Sequence, residues 1–196
     1  MVLNVLQAGE AVLRRRAKPV AIDEIQSPPI QQLIEHMRDT MREAPGVGLA
    51  APQIGIPLQL AVIEDRAELL QDIKAEWLAE TERRPVPFHV IINPTVTLGE
   101  GTVEFFEGCL SVARFGALVA RARQVTVECW NERAEPVCIE ASGWYARILQ
   151  HEIDHLSGCL YVDRMRPRSF MTVDNYGRYW KDVPMAEIRR ALEREE

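Results

Sequence analysis

The sequence predicts an α+β domain in which antiparallel strands wrap a central helix. Three observations lead there: six segments with strand patterning, a helix on each side of the strand-rich region, and one long helix late in the chain. The first helix spans 27–43, with Ser27 as its cap and Pro28 at the first helical position. Ile30, Leu33, Ile34, Met37 and Met41 give it an apolar stripe, and Pro45-Gly46 ends it. The small-residue stretch Gly46 to Gly55 is read as a loop outside any regular element. A strand follows at 58–64. Residues 65–84 are charged and read as a surface helix or insertion, with Arg83-Arg84-Pro85-Val86-Pro87 as its exit. Further strands are expected at 88–98, 102–106, 117–121, 124–130 and 135–140. The central helix is expected over 143–157, capped by Ser142 and stopped by Gly158, and a last helix over 185–194 after Pro184. Residues 159–183 receive no assignment.

The chain has 196 residues, 47% hydrophobic and 27% charged, which suits one globular domain with a sizeable core. A single catalytic domain over 1–196 is expected, with 167–196 as a C-terminal extension. The net charge of −6, with no basic run longer than Arg14-Arg15-Arg16, argues against a DNA partner. No apolar run approaches the roughly 20 residues of a membrane span. Met1 to Ala11 lacks a secretory pattern. Cys109, Cys129, Cys138 and Cys159 form no CxxC pair and no disulfide framework, so free thiols and a cytoplasmic location are expected.

The strongest chemical signal is His151-Glu152-Ile153-Asp154-His155. Two histidines four apart on a helix lie about 40° apart around its axis and one turn along it. Both imidazoles can then reach one ion, which makes the central helix a metal-binding one. Glu152 stands beside them, able to take a proton from a water that the metal activates. A hydrolytic site needs a third protein ligand and an open position. In the longer metzincin pattern a third histidine follows the glycine, but here Tyr161 holds that position after Gly158. Glu187, on the last helix, is one candidate third ligand, with no supporting motif. Cys109, within Glu107-Gly108-Cys109-Leu110-Ser111, is the other. A thiolate binds divalent transition metals well, although a free cysteine is more often a small buried hydrophobe. The flanking glycine, which allows close backbone approach, favours Cys109.

Three short motifs stand in order: Gly46-Val47-Gly48-Leu49-Ala50-Ala51-Pro52-Gln53, then Glu107-Gly108-Cys109-Leu110-Ser111, then Gln150-His151-Glu152-Ile153-Asp154-His155. In sequence and spacing they resemble the peptide deformylases, over roughly residues 4–166. The resemblance implies a metallohydrolase that removes the formyl group from N-formylmethionyl nascent peptides and releases formate. It implies Cys109, His151 and His155 as metal ligands, with ferrous iron the usual native ion and zinc, nickel or cobalt able to replace it. Glu152 would be the general base. Gln53 and the backbone NH of Leu110 would donate to the formyl oxygen. Val47, Gly48 and Gly108 would line the peptide groove. Glu107 would brace the site through an arginine. Asp154 fits equally an imidazole acceptor or a solvated helix face.

The sequence departs from the common bacterial pattern after the second motif. Val112 is followed by Ala113, Arg114, Phe115 and Gly116, without the usual proline, and Gly116 stands where many bacterial enzymes have an arginine. Gly143-Trp144-Tyr145-Ala146-Arg147-Ile148 is similar to the mitochondrial-type branch. Trp144 and Ile148 are expected at the pocket, with core packing an equal reading for Trp144, and Arg147 takes a position that is often aliphatic. The aromatic tail (Phe170, Tyr176, Tyr179, Trp180) is expected to fold back on the body or to form a dimer contact. Monomer and homodimer both stay open. Arg189, Arg190 and Arg194 allow a ribosome contact or an ordinary exposed helix.

Overall fold

The computed structural model describes residues 1–44 and 46–193. In chain order it contains α1 (Pro28–Glu43), β1 (Gly48–Ala50), β2 (Leu60–Asp65), α2 (Ala75–Glu80), β3 (Val86–Leu98), β4 (Thr102–Cys109), β5 (Val112–Ala122), β6 (Gln124–Trp130), β7 (Pro136–Ser142), α3 (Gly143–Leu156), β8 (Met171–Thr172), α4 (Val173–Tyr179) and α5 (Met185–Glu193), joined by short 3-10 turns. Two antiparallel sheets result: five strands in the order β1-β2-β3-β6-β7, and three in the order β4-β5-β8. The fold is α+β, as expected. Pro45 and Arg194 lie outside the described residues, so the assigned ends of the first and last helices are not tested at those positions.

The alternation of side chains along a strand explains the layers. Ala61, Ile63 and Ile91 face α3, where they meet Ala146, Ile148, Leu149, Ile153 and Leu156. Leu60, Val62, Val90 and Ile92 face the other way and pack on Ile30, Ile34, Met37 and Met41 of α1. β2 is therefore buried on both faces and reads as a nearly unbroken apolar run. Each such aliphatic side chain contributes about 1.5–3 kcal/mol by leaving water, so truncating Leu149, fully buried, is expected to cost about 2–5 kcal/mol.

The central helix is fixed at both ends and along one side. At its start Ser142 holds the cap position, but its side chain makes no capping hydrogen bond; the NH of Gly143 donates to the Arg123 carbonyl instead (2.9 Å). Ser27 likewise occupies its cap position without the expected side-chain bond. Along the side, Gln150 pairs with the backbone of Ala122, accepting from its NH at 3.0 Å and donating to its carbonyl at 2.9 Å. At the far end the NH of Cys159 donates to the Asp154 carbonyl and that of Gly158 to the His155 carbonyl. That bond pattern demands a left-handed residue, and Gly158 supplies it with φ +78°.

Several segments differ from the sequence reading. Gly48 to Ala50 is an edge strand on β2, and Ala51 to Ile54 is a 3-10 turn, where a loop was expected. Small residues carry little periodicity, which hid both. β4 and β5 extend further than expected and meet in a tight hairpin at Cys109 and Val112. Residues 65–84 do form surface turns and a short helix, but their ends are pinned by a buried ion pair. Arg83 donates to Asp65 at 2.7 and 2.9 Å, and the Asp65 side chain is fully buried. The unassigned stretch contains β8, which pairs with β5 at Phe115 and Gly116, followed by α4. The tail folds back: Phe170 stacks on Phe115 at 4.9 Å and Tyr176 meets Phe106 at 4.7 Å.

Candidate metal centre and active site

Cys109 ends β4, and His151 and His155 lie one turn apart on α3. The fold brings one ligand atom of each within 4.8 Å of the others. Among the described residues they are the one such cluster that could hold an ion. The Sγ of Cys109 is 3.3 Å from Nε2 of His155. Tetrahedral coordination at usual metal–sulfur and metal–nitrogen lengths puts sulfur and nitrogen about 3.6 Å apart, so these donors fit a divalent transition metal. Glu187, the competing third ligand, is not in the cluster. Tyr161, at the position where the metzincin pattern has histidine, lies beside His151 with its ring centroid 6.4 Å away.

Glu107 orients His151, accepting from its Nδ1 at 3.0 Å and leaving Nε2 for the ion. Glu107 is itself held by Arg121, through Nε at 2.9 Å and Nη2 at 3.0 Å, and by Arg147 Nη1 at 2.6 Å. Burial opposes its charge, but the hydrogen bonds from His151 and Arg121 outweigh burial and hold the carboxyl below its usual range. Asp154 does not serve an imidazole and is not on a solvated face. It is buried, accepting from Arg121 at 2.5 Å and from Arg164 at 2.7 and 2.8 Å. The sequence left both options open because its partners come from distant strands and turns. Arg147, noted in the sequence as standing at an often aliphatic position, borders the cleft and turns its guanidinium into this network.

Glu152 is 4% exposed, and its Oε2 has no hydrogen-bond partner among the described residues. Burial raises its pKa to about 7. It lies directly over Gly48, whose missing Cβ makes room for it: a Cβ there would meet Oε1 at 2.2 Å. Burial and the neighbouring His151 push the pKa of His155 well below its usual value, the direction that favours the uncharged ring a metal ligand needs. Gln53 is buried in the 3-10 turn after β1. Its Oε1 accepts from the Ala50 NH at 2.8 Å, which fixes the amide so that Nε2 faces Ser111 Oγ at 3.2 Å and Cys109 Sγ at 3.6 Å.

These groups open into a cleft of about 540 Å³. Val47, Gly48, Gly108, Trp144 and Ile148 line it, together with Gln53, Leu110, Cys109, His151 and Glu152. Sequence reasoning did not place Phe106, Arg114, Phe115, Val173 and Arg83 there. The first three belong to β4 and β5, the others to the tail and the insertion, and no local pattern signals their approach.

A cleft that presents an ion site, a fixed amide donor and a buried carboxylate able to carry a proton near neutral pH is built to add water to a carbonyl. The fold and site thus define a metallohydrolase. The family model described as polypeptide deformylase matches residues 2–170. A chloroplastic peptide deformylase 1A of Solanum lycopersicum is 47% identical over 93% of this chain, which spans 65% of that protein's length. The mitochondrial peptide deformylase of Homo sapiens is 39% identical over 92% of this chain and 72% of its own length. A Met-Ala-Ser-bound class I type b peptide deformylase from Acinetobacter baumannii superposes with a TM-score of 0.75 at 33% identity, over 84% of this chain and 99% of that one. The chain belongs to the polypeptide deformylase family, metal-dependent hydrolases that remove the N-terminal formyl group from nascent peptides.

Proposed function

We propose that this chain removes the formyl group from N-formylmethionyl peptides, with Cys109, His151 and His155 holding one divalent ion and Glu152 carrying the proton. The observation that carries the reading is the convergence of one thiol and two imidazoles, within 4.8 Å, on the floor of a cleft beside a buried glutamate. The donor set suits ferrous iron, our reading for the native ion, and also zinc, nickel or cobalt. When bound, the ion supplies Lewis acidity to the formyl oxygen and lowers the pKa of a water towards about 7.

The chain's own residues do the rest. Glu152 takes a proton on its carboxylate and returns it to the leaving amine. Gln53 Nε2 and the NH of Leu110 donate to the formyl oxygen as charge grows there. Val47, Gly48 and Gly108 receive the peptide backbone, and Trp144 and Ile148 bound the pocket for the methionine side chain. The Met-Ala-Ser seated in the Acinetobacter baumannii structure supports a cleft of this shape for a short peptide. All residues act within one catalytic domain, and the tail beyond 170 belongs to it through Phe170 and Tyr176. The four free cysteines favour a reducing compartment such as the cytoplasm. The exposed Arg190 offers the end of α5 for a ribosome contact.

The test is formate release from formyl-Met-Ala-Ser by protein prepared anaerobically with iron. Formate is expected from the wild type, and neither metal nor activity from Cys109→Ala. Fully metal-loaded wild type that yields no formate overturns the reading. A Cys109→Ala chain that keeps both metal and activity overturns the ligand set.

A further inference from the structure

We propose that Arg147 is a positioning residue for the metal centre, acting through Glu107 to fix the His151 ring. The proposal rests on the metal-centre reading above and goes beyond it, because Arg147 touches neither a ligand atom nor the formyl group's donors. Arg147 and His151 are four apart on α3 and so share a face. Arg147 borders the cleft, yet its side chain is only 3% exposed and its guanidinium is spent on buried partners. Its Nη1 donates to Glu107 Oε1 at 2.6 Å and to the Val119 carbonyl at 2.9 Å, and its Nη2 donates to the Val103 carbonyl at 2.7 Å. Phe105 and Trp144 flank the guanidinium at 5.3 and 5.9 Å from its carbon.

Two consequences follow from these bonds. The first is geometric. Glu107 has two oxygens: Oε2 meets His151 Nδ1 and Arg121 Nη2, while Oε1 meets Arg121 Nε and Arg147. Loading Oε1 with two donors prevents the carboxylate from rotating, so Oε2 stays on the imidazole. The second is electrostatic. Arg121 must serve two anions, because its Nη1 also bonds Asp154. Asp154 is also paired with Arg164, whereas without Arg147 the buried Glu107 would have the shared Arg121 as its one arginine, and burying an under-compensated charge is costly. Arg147 supplies Glu107 with a second cation. The same guanidinium ties α3, which carries both imidazoles, to β4 and β5, the hairpin that carries the thiol. Alongside the Arg121–Asp154 and Gln150–Ala122 bonds, this side chain therefore helps to set the distance between the two halves of the ligand set, and it also fixes the orientation of one ring.

The experiment measures metal release, not turnover. Wild type, Arg147→Met, Glu107→Gln and the double variant are loaded with cobalt, and release to an excess of chelator is followed by the loss of cobalt absorption. Removing a group that orients a metal ligand typically costs 10–100-fold in affinity. Arg147→Met is expected to release cobalt at least tenfold faster, with a shifted absorption envelope reporting altered coordination. The double variant is expected to release no faster than Glu107→Gln alone, because Arg147 acts through Glu107. A purely structural role would lower thermal stability and leave both the spectrum and the release rate unchanged. Wild-type release from folded Arg147→Met, or effects that multiply in the double variant, overturns the proposal. If the methionine variant does not fold, Arg147→Gln, which keeps an amide donor but not the charge, carries the same expectations. Failure of the wild type to take up cobalt overturns the metal reading itself and this proposal with it.

Discussion

In a Gly48→Ala chain the added methyl carbon would sit 2.2 Å from Oε1 of Glu152, 2.6 Å from its Cδ and 2.9 Å from its Cγ. Ordinary contact starts near 3.4 Å, so the carboxylate must retreat by about 1.2 Å. The strand need not change, since Gly48 pairs with Ile63 in regular register and has no positive φ. The side chain yields rather than the backbone, and the thermal midpoint should fall by only a few degrees. A misplacement of about 1 Å in a reacting group costs on the order of 10² in rate, or about 2.7 kcal/mol in the barrier. The assay pairs kcat on formyl-Met-Ala-Ser with metal content and thermal unfolding of the same preparation. The expected result is near-normal metal and stability with kcat down about 100-fold. Unchanged kcat in a fully loaded, folded Gly48→Ala protein would refute the role given to Glu152 and to the space above Gly48.

Three other outcomes can be checked. Gln53→Ala should lower kcat by on the order of 10²–10³ while the metal stays bound, because it removes one donor to the developing charge; metal analysis beside steady-state kinetics reads this. Gly158→Ala should destabilise by about 1–3 kcal/mol, since its φ is +78° and a Cβ would lie 2.8 Å from the Arg14 carbonyl carbon; urea unfolding measures it. Glu64 is nearly buried and held below its usual pKa chiefly by hydrogen bonds from Arg42 at 2.7 and 2.8 Å. A depressed carboxyl stabilises the fold above its unfolded value of about 4.3, and that contribution is lost as the pH falls through the folded value. Glu64→Gln should therefore lower the urea midpoint at pH 7, with the gap to wild type closing in strong acid. A constant gap at both pH values would exclude this ion pair as its source.

What could be read from the residues was what depends on short spacing. His151, Glu152 and His155 occupy one helical turn, so their chemistry follows from geometry that any helix has. Gly158 announced the stop for the same reason. Cys109 was ambiguous by itself, since a lone thiol is ordinary, and its motif neighbours decided the matter. Asp154 and Arg147 were unreadable because their partners lie outside any helical or strand period: Arg164 follows Asp154 beyond the helix end, and Arg121, Glu107 and the carbonyls of Val103 and Val119 are distant in sequence. β1 was missed because Gly48, Leu49 and Ala50 are too few and too small to show a two-residue period, and β8 because two residues have no period at all.

The register of the β4–β5 hairpin has a mechanical meaning. Gly108 pairs with Gly116, but the next pair is Cys109 with Val112, so Ala113, Arg114 and Phe115 have no opposite number on β4. Arg114 accommodates the excess chain with φ +68°, and Phe115 is taken up instead by Thr172 of β8. The turn carrying the thiol is thus closed independently of the three residues that follow it. Changes of residue or length at 113–115 can reshape the mouth of the cleft while leaving the sulfur where it is. On the proposed function, affinity for the peptide beyond methionine and hold on the ion are encoded a few residues apart and are free to vary separately.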